Sequence, residues 1–172
     1  ICCEIFPPKQ WAKIDDAKKV AASIADLKPD YMSVTYGATG GTSEYTVDIA
    51  NELQNNLGVP TLAHLTCLSA DKETVRQTVA RLKEAKIENI LALRGDRPQD
   101  SELALPDDYH YASELIEDIR SMGDFCIAGA CYPEGHPESP SVEADILNLK
   151  RKVDTGCDFL ISQMFLDRKS VV

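Results

Sequence analysis

The sequence predicts a partial (β/α)8 barrel, with about six βα units in a single incomplete domain that spans residues 1–172. Six short apolar runs alternate with segments of helical spacing, and buried strands that alternate with helices form parallel sheets. Polar residues recur at the C-terminal ends of these runs, where barrel enzymes carry their active sites. A complete barrel needs eight strands and about 250 residues. We therefore expect a truncated chain that lacks the last two units.

The predicted strands are the apolar runs, which begin roughly 30 residues apart, the size of one βα unit. They cover residues 1–6, 31–36, 61–67, 90–93, 125–132 and 159–165. The alternative is an open dinucleotide-binding sheet, which would show Gly-x-Gly-x-x-Gly after its first strand. This chain has Glu-Ile-Phe-Pro-Pro at 4–8 instead, and the glycine-rich segment 37–41 has neither that spacing nor a P-loop lysine. The barrel is the favoured architecture.

The segments between the runs carry apolar residues that would share one face of a helix. These faces are marked by Val20, Ile24 and Leu27 in the first helix, Val75, Val79 and Leu82 in the third, and Ile146, Leu149 and Val153 in the fifth. Ser69 and Ser139 are the predicted N-caps of the third and fifth helices. Gly156 is the predicted end of the fifth helix.

The composition indicates a globular protein with an acidic surface. The net charge is −10 and the isoelectric point about 4.7, which argues against nucleic-acid or anionic-membrane partners. No apolar run approaches the ~20 residues of a membrane span, and no signal peptide is seen, so we expect a cytoplasmic location. The six cysteines form no Cys-x-x-Cys pair and are expected to be reduced, buried thiols. No His or Cys pair has zinc-ligand spacing, so no metal is predicted.

The strongest local signal for a ligand is the sequence that follows the fourth strand. Arg94, Gly95 and Asp96 crowd a cation, a residue without a side chain and a carboxylate at one strand end. Such a cluster is costly to bury unless something binds there. Gly95 permits a flat or phosphorylated ligand to approach the backbone, and Arg94 can pair with phosphate.

Glu4 and His64 each interrupt an apolar run. Desolvation would keep Glu4 protonated and suit it to general-acid chemistry, but a Glu paired with Lys or Arg at the barrel mouth explains the pattern equally well. A lone His in a buried strand is more often a hydrogen-bonded core residue than a catalyst, and His64 is interpreted so from pattern alone. Thr35 and Tyr36 are either a strand edge or a ligand contact.

The loop at 132–140 contains Tyr132 and His136 and precedes a predicted helix. Helix N-termini attract phosphate. On that helix, Asp145, Asn148 and Lys152 form a polar stripe, which pattern alone assigns to a solvated face. From the residues by themselves, the chain is a barrel enzyme with an anionic, phosphorylated ligand, and the reaction is not named.

Seven segments, in one order along the whole chain, closely resemble methylenetetrahydrofolate reductase of the small bacterial type. They are EIFPPK at 4–9, SVTYGA at 33–38, AHLTC at 63–67, LALRGD at 91–96, ACYPEGHPE at 130–138, NLKRKVD at 148–154 and QMF at 163–165. Any one of these motifs is weak, but seven in register are specific.

The resemblance implies a barrel that holds FAD and uses NADH or NADPH as co-substrate in a ping-pong reaction. The flavin would be reduced first and would then pass hydride to 5,10-methylenetetrahydrofolate, giving 5-methyltetrahydrofolate for one-carbon metabolism and methionine biosynthesis. A homo-oligomer is also implied. The choice of nicotinamide cofactor and the need for a partner subunit stay open.

The resemblance also assigns roles to individual residues. Glu4 matches the general acid that assists opening of the imidazolidine ring, Asp96 the carboxylate beside the flavin that holds the pterin, and Gln163 a residue shared by folate and the nicotinamide cofactor. The cofactor contacts are Thr35 for the nicotinamide and, for FAD, Tyr36, Ala38, His64, Arg94, Gly95, Asp96, Ala112, Tyr132, His136, Asp145, Asn148, Arg151 and Lys152. These implied roles replace the pattern-based interpretations of His64 and of the polar stripe.

Two alternatives belong to other classes. The first is a catalytically incompetent barrel fragment that binds flavin or a partner. The second is another pterin-binding barrel, such as a corrinoid-linked methyltransferase, against which the Arg94-Gly95-Asp96 cluster and Lys152 argue.

Overall fold

The computed structural model describes residues 1–36, 43–96 and 106–166. Its six parallel strands are β1 Cys2–Ile5, β2 Tyr31–Val34, β3 Thr61–Thr66, β4 Asn89–Leu93, β5 Cys126–Cys131 and β6 Phe159–Ser162. Each strand pairs with the next one along the chain, in the order β1-β2-β3-β4-β5-β6. Sequential parallel order is the arrangement of a (β/α)8 barrel and not of a doubly wound sheet. The predicted partial barrel is confirmed.

The helices lie between successive strands. They are α1 Ile14–Ala25, α2 Ser43–Asn51, α3 Lys72–Glu84, α4 Ala112–Met122 and α5 Val142–Asp154, with a 3-10 turn at Trp11–Lys13 before α1 and a π-helical turn at Glu52–Asn56 after α2. None of the helices in these described ranges has the length and apolar character needed to cross a membrane.

Two predicted N-caps are wrong by two residues. The N-cap of α3 is Asp71, whose side chain accepts a hydrogen bond from the Thr74 amide at 2.7 Å. Ahead of α3, the Leu68 amide donates to the Arg94 carbonyl and the Ala70 amide donates to the Cys67 carbonyl, so a turn at residues 67–70 precedes the helix. The N-cap of α5 is Ser141, whose hydroxyl oxygen accepts from the Ala144 amide at 3.2 Å.

The sheet has two apolar faces. The outer face packs against the helices and forms the main core, which includes Met32, Leu65, Ile90 and Ile127. The inner face is a smaller cluster around Leu62, Leu91 and Ala128. Since successive residues of a strand point to opposite faces, the polar side chains that alternate with the outer core residues are directed inward.

The predicted helix faces differ in outcome. In α3, Val75, Val79 and Leu82 are buried, as predicted. In α1 the predicted Ile24 packs partly buried against the main core, beside the buried Ile14 and Ala21. The predicted Val20 is exposed, and so is Leu27, which lies after the helix. The predicted α5 face is also largely exposed, at Ile146 and Val153. The reason is position: α1 and α5 flank the outermost strands of the described sheet, whereas α3 packs between α2 and α4.

All six cysteines are free thiols, as predicted, but their predicted burial holds only in part. Cys67 and Cys157 are buried, and Cys2 is exposed on the edge strand β1. The other three are partly exposed. Burial of Cys67 raises the pKa of its thiol to about 12. This thiol therefore stays protonated at neutral pH and is a packing residue.

Candidate functional site

Five of the predicted site residues lie in or directly after strands of the sheet, toward the C-terminal ends of those strands. Glu4 is in β1, His64 is in β3, and Arg94 directly follows β4. Tyr132 follows β5 and Gln163 follows β6. Because all six strands are parallel, these ends lie along one edge of the sheet. The edge is the one that barrel enzymes use for catalysis.

Glu4 and His64 approach each other across the intervening strand β2. Their Oε1 and Nε2 atoms are 3.6 Å apart, which is longer than a hydrogen bond. The His64 side chain is 11% exposed and that of Glu4 is 43% exposed. Water reaches this carboxyl group on the edge strand β1 of the described sheet, so the described residues by themselves do not bury Glu4.

Burial lowers the pKa of His64 from 6.5 to about 4. The imidazole is therefore neutral at neutral pH, even with a carboxyl group nearby, because loss of hydration outweighs an attraction that solvent screens. A neutral ring has one N–H donor and one acceptor nitrogen. It can therefore give and accept hydrogen bonds beside Glu4 without carrying a charge.

The buried imidazole predicts a pH dependence of folding. The unfolded chain takes up a proton at His64 near pH 6.5, whereas the folded chain resists it until about pH 4. Stability is then fully present above pH 6.5 and falls as the pH drops toward 4, by on the order of 2–3 kcal/mol. Urea unfolding across this range should show the loss in wild type, and His64→Gln should flatten it. Val79→Ala, which opens a cavity without removing a titratable group, should keep the wild-type pH slope; a His64→Gln slope equal to wild type would contradict the prediction.

Gly95 makes the turn after β4 possible. Its φ is +87°, and a Cβ atom there would lie 3.1 Å from the Thr66 Cβ. The turn is also fixed to the end of β3, because the Arg94 carbonyl accepts the Leu68 amide at 2.8 Å. Thr66 is a site neighbour that sequence reasoning missed, although it lies within the matched segment 63–67.

Gly95→Ala is expected to destabilise the fold by about 2 kcal/mol, because it adds left-handed backbone strain and a clash with Thr66. The matched control is Gly58→Ala, since Gly58 has φ +68° and open space around its Cα. Gly58→Ala should add only the backbone strain, without a steric clash, and should therefore lower the free energy of unfolding by less than Gly95→Ala. Urea unfolding of both variants measures the difference. Equal losses would show that contact with Thr66 contributes nothing.

The Arg94 guanidinium is bound by the carboxylate of Glu138, a residue that was not predicted to belong to the site. Its Nη1 and Nη2 donate to the Glu138 carboxylate at 2.6 and 3.0 Å. This bond is the main cause of a raised Arg94 pKa. Arg94 is 24% exposed and Glu138 61%. Glu138 lies in the matched segment 130–138, and this position in a family motif is the sequence signal that could have identified it as a site residue.

The loop after β5 brings three predicted residues together. The Tyr132 and His136 rings meet edge to face with centroids 4.7 Å apart. The His136 amide donates to the Asp145 carboxylate at 3.2 Å, which ties the loop to the first turn of α5. Tyr132, His136 and Asp145 thus form one cluster before and at the start of this helix.

The polar stripe of α5 divides into two parts. Lys152 is partly buried and its Nζ donates to the Ala130 carbonyl at 2.6 Å, and burial lowers the pKa of its ammonium group. Its stem lies against β5, where a Cβ on Gly129 would come within 2.8 Å of it. Asn148 and Arg151 are exposed. A uniformly solvated stripe is therefore wrong for Lys152, which the fold uses to pack α5 on β5.

The remaining predicted residues occupy separate positions. The Thr35 carbonyl accepts the Thr46 hydroxyl at 3.0 Å, and Tyr36 is buried. Ala112 is a buried residue at the start of α4. Asp96 and Gln163 are exposed, and the Gln163 amide extends the pairing of β6 by donating to the Cys131 carbonyl. Ala38 lies outside the described residues.

The donor set suits an anionic cofactor such as FAD. The chain is acidic overall, with a net charge of −10, yet Arg94, His136 and the N-terminus of α5 come together around the loop after β5. Among residues 1–36, 43–96 and 106–166, Arg94 Nε donates no hydrogen bond, so one edge of the guanidinium stays available. Helix N-termini and guanidinium groups are the usual partners of phosphate oxygens.

The chain is similar to one family of known proteins along almost its whole length. The family model described as methylenetetrahydrofolate reductase matches residues 1–171. A 5,10-methylenetetrahydrofolate reductase of Pectobacterium carotovorum is 38% identical over 174 residues, which cover 97% of this chain and 55% of that protein. A probable methylenetetrahydrofolate reductase (NADH) of Oryza sativa is 37% identical over 177 residues, covering 95% of this chain and 30% of that protein.

Solved structures support the architecture. The crystal structure of 2,3-dimethylmalate lyase, a member of the PEP mutase/isocitrate lyase superfamily, matches with a TM-score of 0.63 at 12% sequence identity. The match covers 98% of this chain and 59% of that one. At this identity the likeness concerns the fold alone. The chain spans about half the length of the curated bacterial relatives it matches.

Proposed function

The chain belongs to the methylenetetrahydrofolate reductase family, and from that premise we propose that its 172 residues are part of the catalytic domain of such an enzyme. The proposed reaction is the reduction of 5,10-methylenetetrahydrofolate to 5-methyltetrahydrofolate through FAD, in a ping-pong sequence. The observation that carries the proposal is the line of family-matched residues along one edge of the sheet, with Glu4 beside His64 at one end and Arg94 near His136 further along.

In this proposal, FAD binds at the loops that follow β4 and β5. Arg94, His136 and the N-terminus of α5 would hold the anionic part of FAD, because they supply donors and positive charge around one loop. The backbone of Gly95, which carries no side chain, would let the flavin ring approach the end of β4. FAD, when bound, supplies the hydride transfer between the nicotinamide cofactor and the folate.

In the same proposal, Glu4 in β1 activates the folate substrate. Glu4 would give a proton to a nitrogen of the imidazolidine ring, so that the ring opens to the reactive iminium. The neutral His64 beside it would orient the carboxyl group without competing for its proton. Asp96 would hold the pterin, and exposed Gln163 would serve folate and nicotinamide in turn, as a ping-pong sequence on one face requires.

Three further points belong to the same proposal. We take NADH as the reductant, because a similar protein of Oryza sativa carries NADH in its name. We place the protein in the cytoplasm, as a homo-oligomer. Since the chain covers 55% of its bacterial relatives, the full reaction is proposed for the protein that carries all of the family's strands.

The proposal is tested by reconstituting the purified chain with FAD and measuring visible flavin absorbance after removal of free cofactor. NADH is then added without oxygen, and flavin bleaching is followed before and after addition of the folate substrate. Stoichiometric flavin that NADH bleaches supports the proposal. A colourless protein contradicts it for this chain, and a colourless protein that binds folate would favour the pterin-binding methyltransferase class. Bound flavin without folate reduction would favour a non-catalytic flavin-binding fragment.

A further inference from the structure

The pair formed by Arg94 and Glu138 joins two different strand ends. Arg94 follows β4, and Glu138 lies in the loop between β5 and α5. Two hydrogen bonds of 2.6 and 3.0 Å run in parallel from the two terminal guanidinium nitrogens to the two carboxylate oxygens. A bidentate pair of this kind fixes the plane of the guanidinium as well as its position.

Glu138 is itself held in place by its loop. Its amide donates to His136 Nδ1 at 3.1 Å, and the His136 amide donates to Asp145 in the first turn of α5. The Ser139 amide closes a turn onto the His136 carbonyl at 2.9 Å. The backbone of Glu138 is therefore tied to a helix end, although its carboxylate is partly exposed.

Among the residues that the structure describes, the pair uses one end of the guanidinium and leaves its side edge open. Arginine has five N–H donors in a fixed fork, and Glu138 takes one from each terminal nitrogen. Across the described parts of the chain, Arg94 Nε makes no hydrogen bond, so Nε–H and the neighbouring Nη hydrogen remain for a ligand. An unpaired arginine in the same place would sample many rotamers and lose their entropy on binding.

We propose that Glu138 is a positioning residue that holds Arg94 with its free edge ready for an acceptor oxygen of FAD. This inference rests on the proposed function, since it assumes FAD as the ligand. It assigns Glu138 a part in cofactor affinity that is separate from catalysis, because its carboxylate would act on FAD through Arg94. The opposite role is a competing anion that must leave before FAD binds, and it would change the affinity with the opposite sign.

The test measures FAD affinity by quenching of flavin fluorescence in wild type and variants. Glu138→Ala should weaken FAD binding about tenfold, which corresponds to about 1.4 kcal/mol, and Glu138→Asp should recover most of the loss. The matched control is Glu134→Ala, which removes the same charge from the same loop at an exposed residue whose side chain makes no hydrogen bond or ion pair within the described parts of the chain. It should bind FAD as wild type does.

A double-mutant cycle separates positioning from general loop stability. In an Arg94→Ala background, Glu138→Ala should have no further effect on FAD affinity, because the residue acts through Arg94. Additive losses would overturn the inference, and so would tighter binding by Glu138→Ala, the sign of a competing anion. If wild type does not bind FAD, both the proposed function and this inference are contradicted. If wild type binds FAD but the losses of affinity in Glu138→Ala and Arg94→Ala are additive, only this inference is contradicted.

Discussion

Replacing Glu4 with Gln is expected to lower folate reduction by about 10²–10⁴-fold, the usual contribution of a positioned general acid. Reduction of the flavin by NADH should survive, because that half-reaction needs no proton from Glu4. Gln has nearly the same shape as Glu but cannot deliver the proton, so the substitution separates acid chemistry from packing beside His64. The effect is specific to one of the two half-reactions.

Rapid-mixing measurements of each half-reaction check this expectation in the flavin-loaded protein. Glu84→Gln is the matched control, since Glu84 is exposed at the end of α3 and should leave both rates at the wild-type level. Equal loss of both half-reactions in Glu4→Gln would count against the general-acid role. It would point instead to damage at the Glu4–His64 contact that affects the cofactor.

Arg120→Met is expected to lower the free energy of unfolding by about 3 kcal/mol. Arg120 on α4 donates to the Gly156 carbonyl through Nε at 2.8 Å and Nη2 at 2.6 Å. It also donates to the Phe125 carbonyl and pairs with Asp158. One side chain thus joins the end of α4 to the segments that enter β5 and β6. Met keeps the apolar stem and removes all of these donors.

Asp158 makes the loss larger than that of a surface ion pair. Its carboxylate also accepts the Ile127 amide at 2.7 Å. Burial raises the pKa of Asp158, but the Ile127 amide and Arg120 outweigh that effect and keep the pKa below its ordinary value. Without Arg120, the Asp158 carboxylate and the Gly156 carbonyl would lose hydrogen-bond donors at a partly buried position, where water replaces those donors poorly.

Urea unfolding at neutral pH measures the loss. The control is Lys150→Met, which breaks the exposed i,i+4 pair with Asp154 on α5 and should cost only about 0.3–0.5 kcal/mol. If the two variants lost the same stability, the bonds of Arg120 to the backbone would contribute nothing beyond a surface charge pair.

The fold was predictable because each βα unit repeats a local pattern. Apolar runs such as 61–67 and the buried face of α3 need only hydrophobicity and periodicity to be recognised. The predicted faces of α1 and α5 are covered only in part, since Ile24 and Leu149 are partly buried but Val20, Ile146 and Val153 are exposed. Burial of a helix depends on which neighbours pack against it, and a one-dimensional pattern does not contain that information.

The sequence predicts many of the residues of the candidate site, but it does not predict which of them contact each other. The charge cluster at 94–96 and the motif at 130–138 were visible in the sequence, but the bond between Arg94 and Glu138 spans 44 positions. Likewise, the apolar run around Glu4 predicts its desolvation, whereas the structure buries His64 and leaves Glu4 partly exposed. Glu4 is exposed because β1 is an edge strand of the described sheet.

Local periodicity and short motifs in a fixed order are enough to predict the alternation of strands and helices, the barrel type and the family. Only the folded chain shows which polar groups meet: His64 with Glu4, Arg94 with Glu138, and Lys152 with the Ala130 carbonyl. The physical reason is that hydration, pairing and pKa depend on distances in space between groups far apart in the chain. Parallel strands bring those groups to one edge, and packing then sets which of them water can reach.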